Sequence, residues 1–88
     1  MSDVVLVDAR GVRCPLPVLR LARALVDAPV GVRVRLLATD PAARTDVAAF
    51  CRIRGLDLLA VQEEGDHTAY LVGPVTPRPA GPEPPGPH

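Results

Sequence analysis

The sequence predicts an α/β domain, a two-layer sandwich in which two helices cover one face of a mixed four-stranded sheet. Apolar runs with strand periodicity and two segments with helical periodicity follow in the order strand, helix, strand, helix, strand, strand. The first three elements form a βαβ unit, which requires a parallel strand pair and a right-handed crossover. The last two strands are joined by a short turn and form an antiparallel hairpin. With both helices on one face, the other face is open to water or to a partner.

The first strand and the first helix are predicted from a change of periodicity. Residues 4–7 are a β-branched apolar run that ends before a turn containing Gly11. Residues 15–26 have helical spacing, and Pro15 suits the first helical position because its missing N–H has no intrahelical partner there. The apolar face of this predicted helix consists of Val18, Leu21, Ala22 and Leu25.

The second strand and the second helix follow the same pattern. Residues 32–38 begin with strict alternation of apolar and charged side chains, which is typical of a half-buried strand. Asp40 followed by Pro41 predicts a helix start, with Asp40 as the capping residue and Pro41 in the first helical position. Gly55 is predicted to end this second helix.

A hairpin is predicted from the two apolar runs that remain. Residues 56–61 form its first strand and residues 68–72 form its second strand. The polar residues 63–67 connect them, and His67 is expected to be exposed in this turn.

One folded domain is predicted for residues 1–73, followed by a disordered proline-rich tail at residues 74–88. The tail contains seven prolines, so neither a helix nor a strand ladder is expected in it. A role as a proline-rich ligand for another protein module is the less favoured alternative to a solvated tail.

The charge balance and hydropathy exclude several classes of protein. Ten basic residues, all of them arginine, balance ten acidic ones, so no overall field favours direct binding to nucleic acid or to an anionic membrane. No stretch approaches the roughly 20 apolar residues that span a bilayer. The first ten residues carry no basic leader followed by a long apolar run. The sequence therefore predicts a cytoplasmic protein without a membrane association.

The two cysteines, Cys14 and Cys51, are expected to be thiols in a cytoplasmic protein. Two cysteines are too few for a metal site, and no nearby ligand spacing completes one, so neither a metal nor a cofactor is predicted. Cys51 lies beside the apolar stripe that contains Phe50 and is expected in the core.

Cys14 is the leading candidate for a functional residue. It precedes the first helix, where the positive end of the helix dipole and the charge of Arg13 favour a thiolate. Pro15 and Pro17 fix the backbone of the first turn. A buried cysteine that acts as a small hydrophobic residue is the alternative, and position alone leaves both interpretations open.

The residues around Cys14 resemble the signature of a known family. Residues 6–18, LVDARGVRCPLPV, resemble the C-P-x-P motif of the TusA/SirA family of bacterial sulfur carriers, with its preceding aspartate, glycine and arginine. Residues 39–42, TDPA, and residues 46–51, DVAAFC, are similar to the second-helix pattern of that family. The resemblance covers about residues 4–72, and the family has the order of elements that the periodicity predicts.

The resemblance implies a sulfurtransferase of the carrier type. Cys14 would accept sulfane sulfur from a cysteine desulfurase or a rhodanese-like protein, hold it as a persulfide and pass it to an acceptor protein. The processes implied are tRNA thiolation, cofactor assembly and sulfur oxidation. Arg13, Pro15 and Pro17 would support Cys14, and Asp40 is expected near the same edge of the sheet.

Further residues near Cys14 and two alternative functions bear on this hypothesis. Asp8 and Gly11 are expected to shape the loop before Cys14. Leu16 occupies the variable position of the motif, where some family members carry a polar or acidic residue, which leaves the partner proteins open. The alternatives are a non-catalytic binding or regulatory module of the same fold, and a thiol redox switch formed by Cys14 and Cys51.

Overall fold

The structure is a computed structural model that describes residues 3–13 and 15–75. Cys14 and residues 76–88 of the predicted tail lie outside the described residues. The elements, in chain order, are β1 (Val4–Ala9), α1 (Leu16–Asp27), β2 (Arg33–Ala38), α2 (Ala43–Arg54), β3 (Leu58–Glu64) and β4 (His67–Val72). Neither of the two described helices has the length and apolar character needed to cross a bilayer.

The four strands form one mixed sheet in the order β1-β2-β4-β3. β1 and β2 are parallel, and β4 is antiparallel to both β2 and β3. The predicted fold class is confirmed. The strand order is a new finding, because β4 lies between β2 and β3. The connection from β2 through α2 to β3 therefore passes over β4.

The core lies between the helices and one face of the sheet. Alternation along β2 directs Val34, Leu36 and Ala38 toward the helices, and all three are buried. β4 contributes Tyr70 and Val72 to the same layer. The helices cover this layer with Leu21 from α1 and with Val47 and Cys51 from α2.

Both helices begin later than the sequence predicts. α1 begins at Leu16 with Pro15 as its N-cap, and the N–H of Leu19 donates to the carbonyl of Pro15 over 3.0 Å. α2 begins at Ala43, so the assignment of Asp40 as the helix N-cap and Pro41 as its first residue is wrong. The chain first makes a turn in which Asp40 Oδ1 accepts the N–H of Ala42 at 2.9 Å.

The hairpin turn is shorter than predicted. Glu64 pairs with His67 across the ladder, so only Gly65 and Asp66 connect β3 to β4. His67 is therefore the first residue of β4, and its side chain is only 14% exposed. The expectation that His67 is exposed in the turn is wrong, because both of its ring nitrogens lie against carboxylates. Nδ1 is 2.9 Å from Asp66 Oδ1, and Nε2 is 3.2 Å from Glu64 Oε1.

The chain stays bonded to the sheet for two residues beyond the predicted domain boundary at 73. The N–H of Val75 donates to the carbonyl of Val32 at 2.8 Å, and the N–H of Gly31 donates to the carbonyl of Val75 at 2.7 Å. At Gly73 the backbone has a φ of 130°, and a Cβ there would lie 3.2 Å from the Cα of Arg33. Only glycine can adopt this φ and lie this close to the backbone of Arg33 without strain.

We expect Gly73→Ala to destabilise the fold more than Gly55→Ala does. Both glycines have positive φ, but a Cβ at Gly55 meets no atom within 4 Å. Both variants have a positive φ, but the φ of 130° at Gly73 lies outside the left-handed region near 70° that Gly55 occupies. This greater backbone strain and the crowding against β2 add roughly 1–3 kcal/mol for Gly73→Ala alone. Urea unfolding of both variants measures the difference. Equal losses would show that the close approach to Arg33 contributes nothing.

Candidate functional site

The parallel pairing of β1 and β2 places the carboxyl ends of both strands at one edge of the sheet, where the segments that carry Arg13 and Asp40 begin. Ala9 and Ala38, the last residues of the two strands, are register partners. The segment from Arg10 to Arg13 leaves β1 at this edge and leads into Cys14, and Thr39 and Asp40 leave β2 beside it. The carboxyl ends of parallel strands are where open α/β sheets place their functional groups.

A hydrogen bond between the two strand ends holds the loop before Cys14. The N–H of Gly11 donates to Oγ1 of Thr39 at 2.9 Å. Gly11 has a φ of 83°, a conformation that glycine adopts without a steric cost. Thr39 belongs to the segment that resembles the family, and the sequence alone predicts no role for it. The signal was present, because a hydroxyl follows the last residue of a buried strand.

A second set of contacts fixes the start of this loop. Asp8 Oδ1 accepts the backbone N–H of Arg10 at 3.1 Å and its Nε at 2.9 Å, and Oδ2 accepts Nη2 at 2.8 Å. The hydrogen bonds from the Arg10 side chain and backbone hold the pKa of Asp8 well below its usual range. Arg20 of α1 donates to the carbonyl of Asp8 at 3.1 Å. The expected loop-shaping role of Asp8 thus has a geometric basis.

The sequence neighbours of Cys14 lie at an open surface. Arg13 and Pro15 are both exposed, and so is Leu16, the variable residue of the motif. Pro17, by contrast, is buried in the first turn of α1. Pro17 therefore anchors the start of the helix in the core, while the residues on each side of Cys14 face solvent.

Asp40 lies near this edge but is occupied by structural contacts. Its Oδ1 accepts the N–H of Ala42, and its carbonyl accepts the N–H of Ala43 at 3.0 Å. Asp40 also lines a depression of about 310 Å³ between the end of β2 and the hairpin, together with Asp66 and His67. The carboxylate of Asp40 therefore stabilises the turn before α2 and does not cap the helix.

The tip of the hairpin closes the other side of the site. Asp8, Arg10 and Thr39 line a shallow depression together with Asp66 of the hairpin turn. The hydrogen bond to His67 lowers the pKa of Asp66. No local sequence pattern connects Asp66 and His67 with the loop before Cys14, because only the long-range pairing of β4 with β2 brings the hairpin to this edge.

Cys51 has no part in this edge. It lies in α2, is 3% exposed and packs in the core, and burial raises the pKa of its thiol. The expectation that Cys51 belongs to the core is confirmed.

Comparison with known proteins identifies the family. A family model described as Sulfurtransferase TusA matches residues 5–73. Sulfur carrier protein TusA of Pseudomonas entomophila (strain L48) is 35% identical over 75 residues, which are 82% of this chain and 94% of that protein. Sulfur carrier protein TusA of Pseudomonas syringae pv. syringae (strain B728a) is 41% identical over 65 residues, which are 74% of this chain and 77% of that protein. The chain belongs to the TusA family, as the motif around Cys14 indicates.

We expect Asp8→Asn to destabilise the protein in a pH-dependent way. Because the folded-state pKa of Asp8 is depressed, its contribution is fully present above the unfolded-state pKa, at about pH 4, and is lost as the pH falls toward the folded-state value. Urea unfolding at neutral pH and at about pH 3 measures the gap between wild type and variant, which should shrink in acid.

Asp27→Asn is the matched control, since Asp27 is more exposed and lies 3.9 Å from Arg23. Its effect on stability should be small at every pH. A gap between wild type and Asp8→Asn that stays constant from neutral to acid pH would contradict the assigned role of the Asp8–Arg10 pair.

Proposed function

We propose that this protein is a sulfur carrier that holds one sulfane sulfur as a persulfide on Cys14 and passes it to an acceptor protein. Membership of the TusA family and the name of its relatives, sulfur carrier protein, support the proposal. The observation that carries it is the hydrogen bond that holds the loop before the C-P-x-P motif, together with the exposure of Arg13 and Pro15.

The proposed transfer is a thiol–persulfide exchange. The Cys14 thiolate attacks the outer sulfur of the donor's persulfide, the bond between the two donor sulfurs breaks, and the donor leaves as a thiolate. In the second step the acceptor's thiolate attacks the outer sulfur now on Cys14, and the Cys14 thiolate leaves. Each step forms one sulfur–sulfur bond and breaks one, so both steps balance without an added oxidant or reductant.

This chemistry needs a thiolate that a second protein can reach. The amino-terminal end of α1 and the exposed guanidinium of Arg13 provide positive charge near Cys14, which favours a thiolate and a persulfide anion over their protonated forms. α1 has no acidic residue in its first turn to oppose this field. Pro15 at the N-cap and Pro17 in the core hold the backbone that follows Cys14.

The partners we propose are the proteins that such an exchange requires. The donor is a cysteine desulfurase or a rhodanese-like protein, and the acceptor presents a cysteine to the outer sulfur of Cys14. The protein is then a carrier-type sulfurtransferase of the cytoplasm that turns over only with both partners, in tRNA thiolation, cofactor assembly or sulfur oxidation. Residues 1–73 form the carrier domain in this proposal, and residues 74–88 are a tail outside it.

The redox-switch alternative has less support than the carrier. A disulfide between Cys14 and Cys51 requires their Cα atoms to come within about 7 Å and requires oxidant or thiolate to reach both sulfurs. Cys51 is buried in α2 among core residues, and burial disfavours its thiolate. A switch would therefore require α2 to leave the core.

Loading with sulfur tests the proposal directly. The protein is incubated with a cysteine desulfurase and cysteine, and its intact mass is measured under non-reducing conditions. We expect one added sulfur atom on wild type and on Cys51→Ser, and none on Cys14→Ser. Cys51→Ser is the matched control because it removes the other thiol.

Three results would contradict the carrier. Loading that persists in Cys14→Ser would place the sulfur elsewhere. Loss of two hydrogens under mild oxidant, abolished by either substitution, would favour the redox switch. No loading from either a cysteine desulfurase or a rhodanese-like donor would favour the binding module.

A further inference from the structure

Thr39 follows the strand end that is held from both sides. β2 lies between β1 and β4, and its last residue, Ala38, is the register partner of Ala9 in β1 and of Thr68 in β4. Ala38 is also 1% exposed and packs in the core. Because Thr39 is the next residue, the pairing and packing of Ala38 limit its movement relative to the sheet.

The loop at residues 10–13 is shaped by local contacts. The side chain of Arg10 returns to Asp8 at the end of β1. The N–H of Val12 donates to the carbonyl of Ala9 at 3.4 Å, which is long for a hydrogen bond. Each of these contacts joins residues only two or three positions apart. They give the loop its shape, but they do not fix its place relative to β2.

The hydrogen bond between Gly11 and Thr39 connects this loop to the end of β2. The N–H of Gly11 donates to Thr39 Oγ1 at 2.9 Å, across 28 positions of the chain. A Cβ at Gly11 would meet no atom within 4 Å, so packing around this residue leaves room for the loop to move. The hydroxyl of Thr39 is therefore a main restraint on the position of Gly11 relative to β2.

We propose that Thr39 is a positioning residue for sulfur transfer, because its hydroxyl oxygen holds the loop that leads into Cys14 in one place relative to the sheet. This inference rests on the proposed carrier function. Without the acceptor, residues 10–13 would occupy several positions, and only one of them presents the segment to a partner protein as in wild type. Thr39 lines both depressions at this edge, so the restraint acts at the open surface.

The expected effect is on the docking of a partner and not on the thiolate. Loss of one ordinary hydrogen bond lowers the ratio of the bonded position to all others about fivefold. A partner that requires this position then binds up to about fivefold more weakly. Once the partner is bound, the loop has the same position as in wild type, so the rate at saturation is unchanged. The positive charge near Cys14 comes from α1 and from Arg13, and a substitution at Thr39 leaves it in place.

Transfer kinetics separate this role from a purely structural one. Thr39→Val keeps the branched shape of the side chain and removes the hydroxyl, and Thr39→Ser restores the hydroxyl. The matched control is Thr45→Val, at an exposed threonine of α2. Circular dichroism confirms that each variant is folded.

Sulfur uptake from a persulfide-loaded cysteine desulfurase is followed by intact mass over a range of donor concentrations. For Thr39→Val we expect the donor concentration at half-maximal rate to rise roughly two- to fivefold, with the maximal rate unchanged. Thr39→Ser should restore most of the wild-type behaviour, and Thr45→Val should not differ from wild type. A fall in the maximal rate without a change in the half-maximal donor concentration would contradict a role in docking.

The pH dependence of alkylation tests whether Thr39 acts on the thiol instead. Cys14 of wild type and of Thr39→Val is alkylated with iodoacetamide at a series of pH values. The two profiles should have the same midpoint, because the charges that favour the thiolate are unchanged. A shifted midpoint in Thr39→Val would assign Thr39 to the thiolate and overturn its role in positioning the loop.

Amide hydrogen exchange tests the loop independently of sulfur transfer. In Thr39→Val the amides of Gly11 and Val12 should both exchange faster than in wild type, since the whole loop is released. Faster exchange at Gly11 alone would show that the bond does not position the loop.

The two proposals fail in different ways. A wild type that loads with sulfur, together with a Thr39→Val variant that loads at the same donor concentrations, would overturn the role of Thr39 and leave the carrier function intact. A wild type that takes up no sulfur from a cysteine desulfurase or a rhodanese-like donor would overturn the carrier function, and with it the role of Thr39 in transfer.

Discussion

The hydrogen bond from Gly11 to Thr39 joins the two strand ends on which the candidate site depends. It forms because β1 and β2 are parallel and in register to their last residues, so the loop that leaves one strand passes beside the residue that leaves the other. One such bond contributes only about 1 kcal/mol. The loop is held because the fork between Asp8 and Arg10 and the bond from Arg20 to the Asp8 carbonyl act on the same few residues.

The surroundings of Cys51 and the described sequence neighbours of Cys14 differ in exposure. Cys51 lies on the inward face of a helix, where an aliphatic environment disfavours its thiolate and excludes partners. Cys14 follows a surface loop, and its described neighbours Arg13, Pro15 and Leu16 are exposed. A carrier needs this division, because the sulfur must be transferred between proteins through one thiol while a second reactive thiol would allow side reactions.

Local sequence patterns predicted the features that depend on nearby residues. The order of the elements and the core position of Cys51 followed from periodicity. The Asp40-Pro41 pair predicts a helix start, but Asp40 closes a separate turn before α2. Capping preferences alone do not distinguish these two structures. The insertion of β4 between β2 and β3 depends on pairing across the whole chain, and so does the position of His67 and Asp66 beside the site. Single-sequence periodicity carries no information on such long-range pairing.

The central proposal is that partner proteins can reach Cys14, whereas Cys51 is buried in the core. Alkylation of the native protein with iodoacetamide, followed site by site with mass spectrometry, tests this claim. The account predicts that Cys14 reacts without unfolding, and that Cys51 reacts only at the rate at which the protein unfolds. Equal protection of the two thiols in the native protein would contradict it, because Cys14 would then be a core residue.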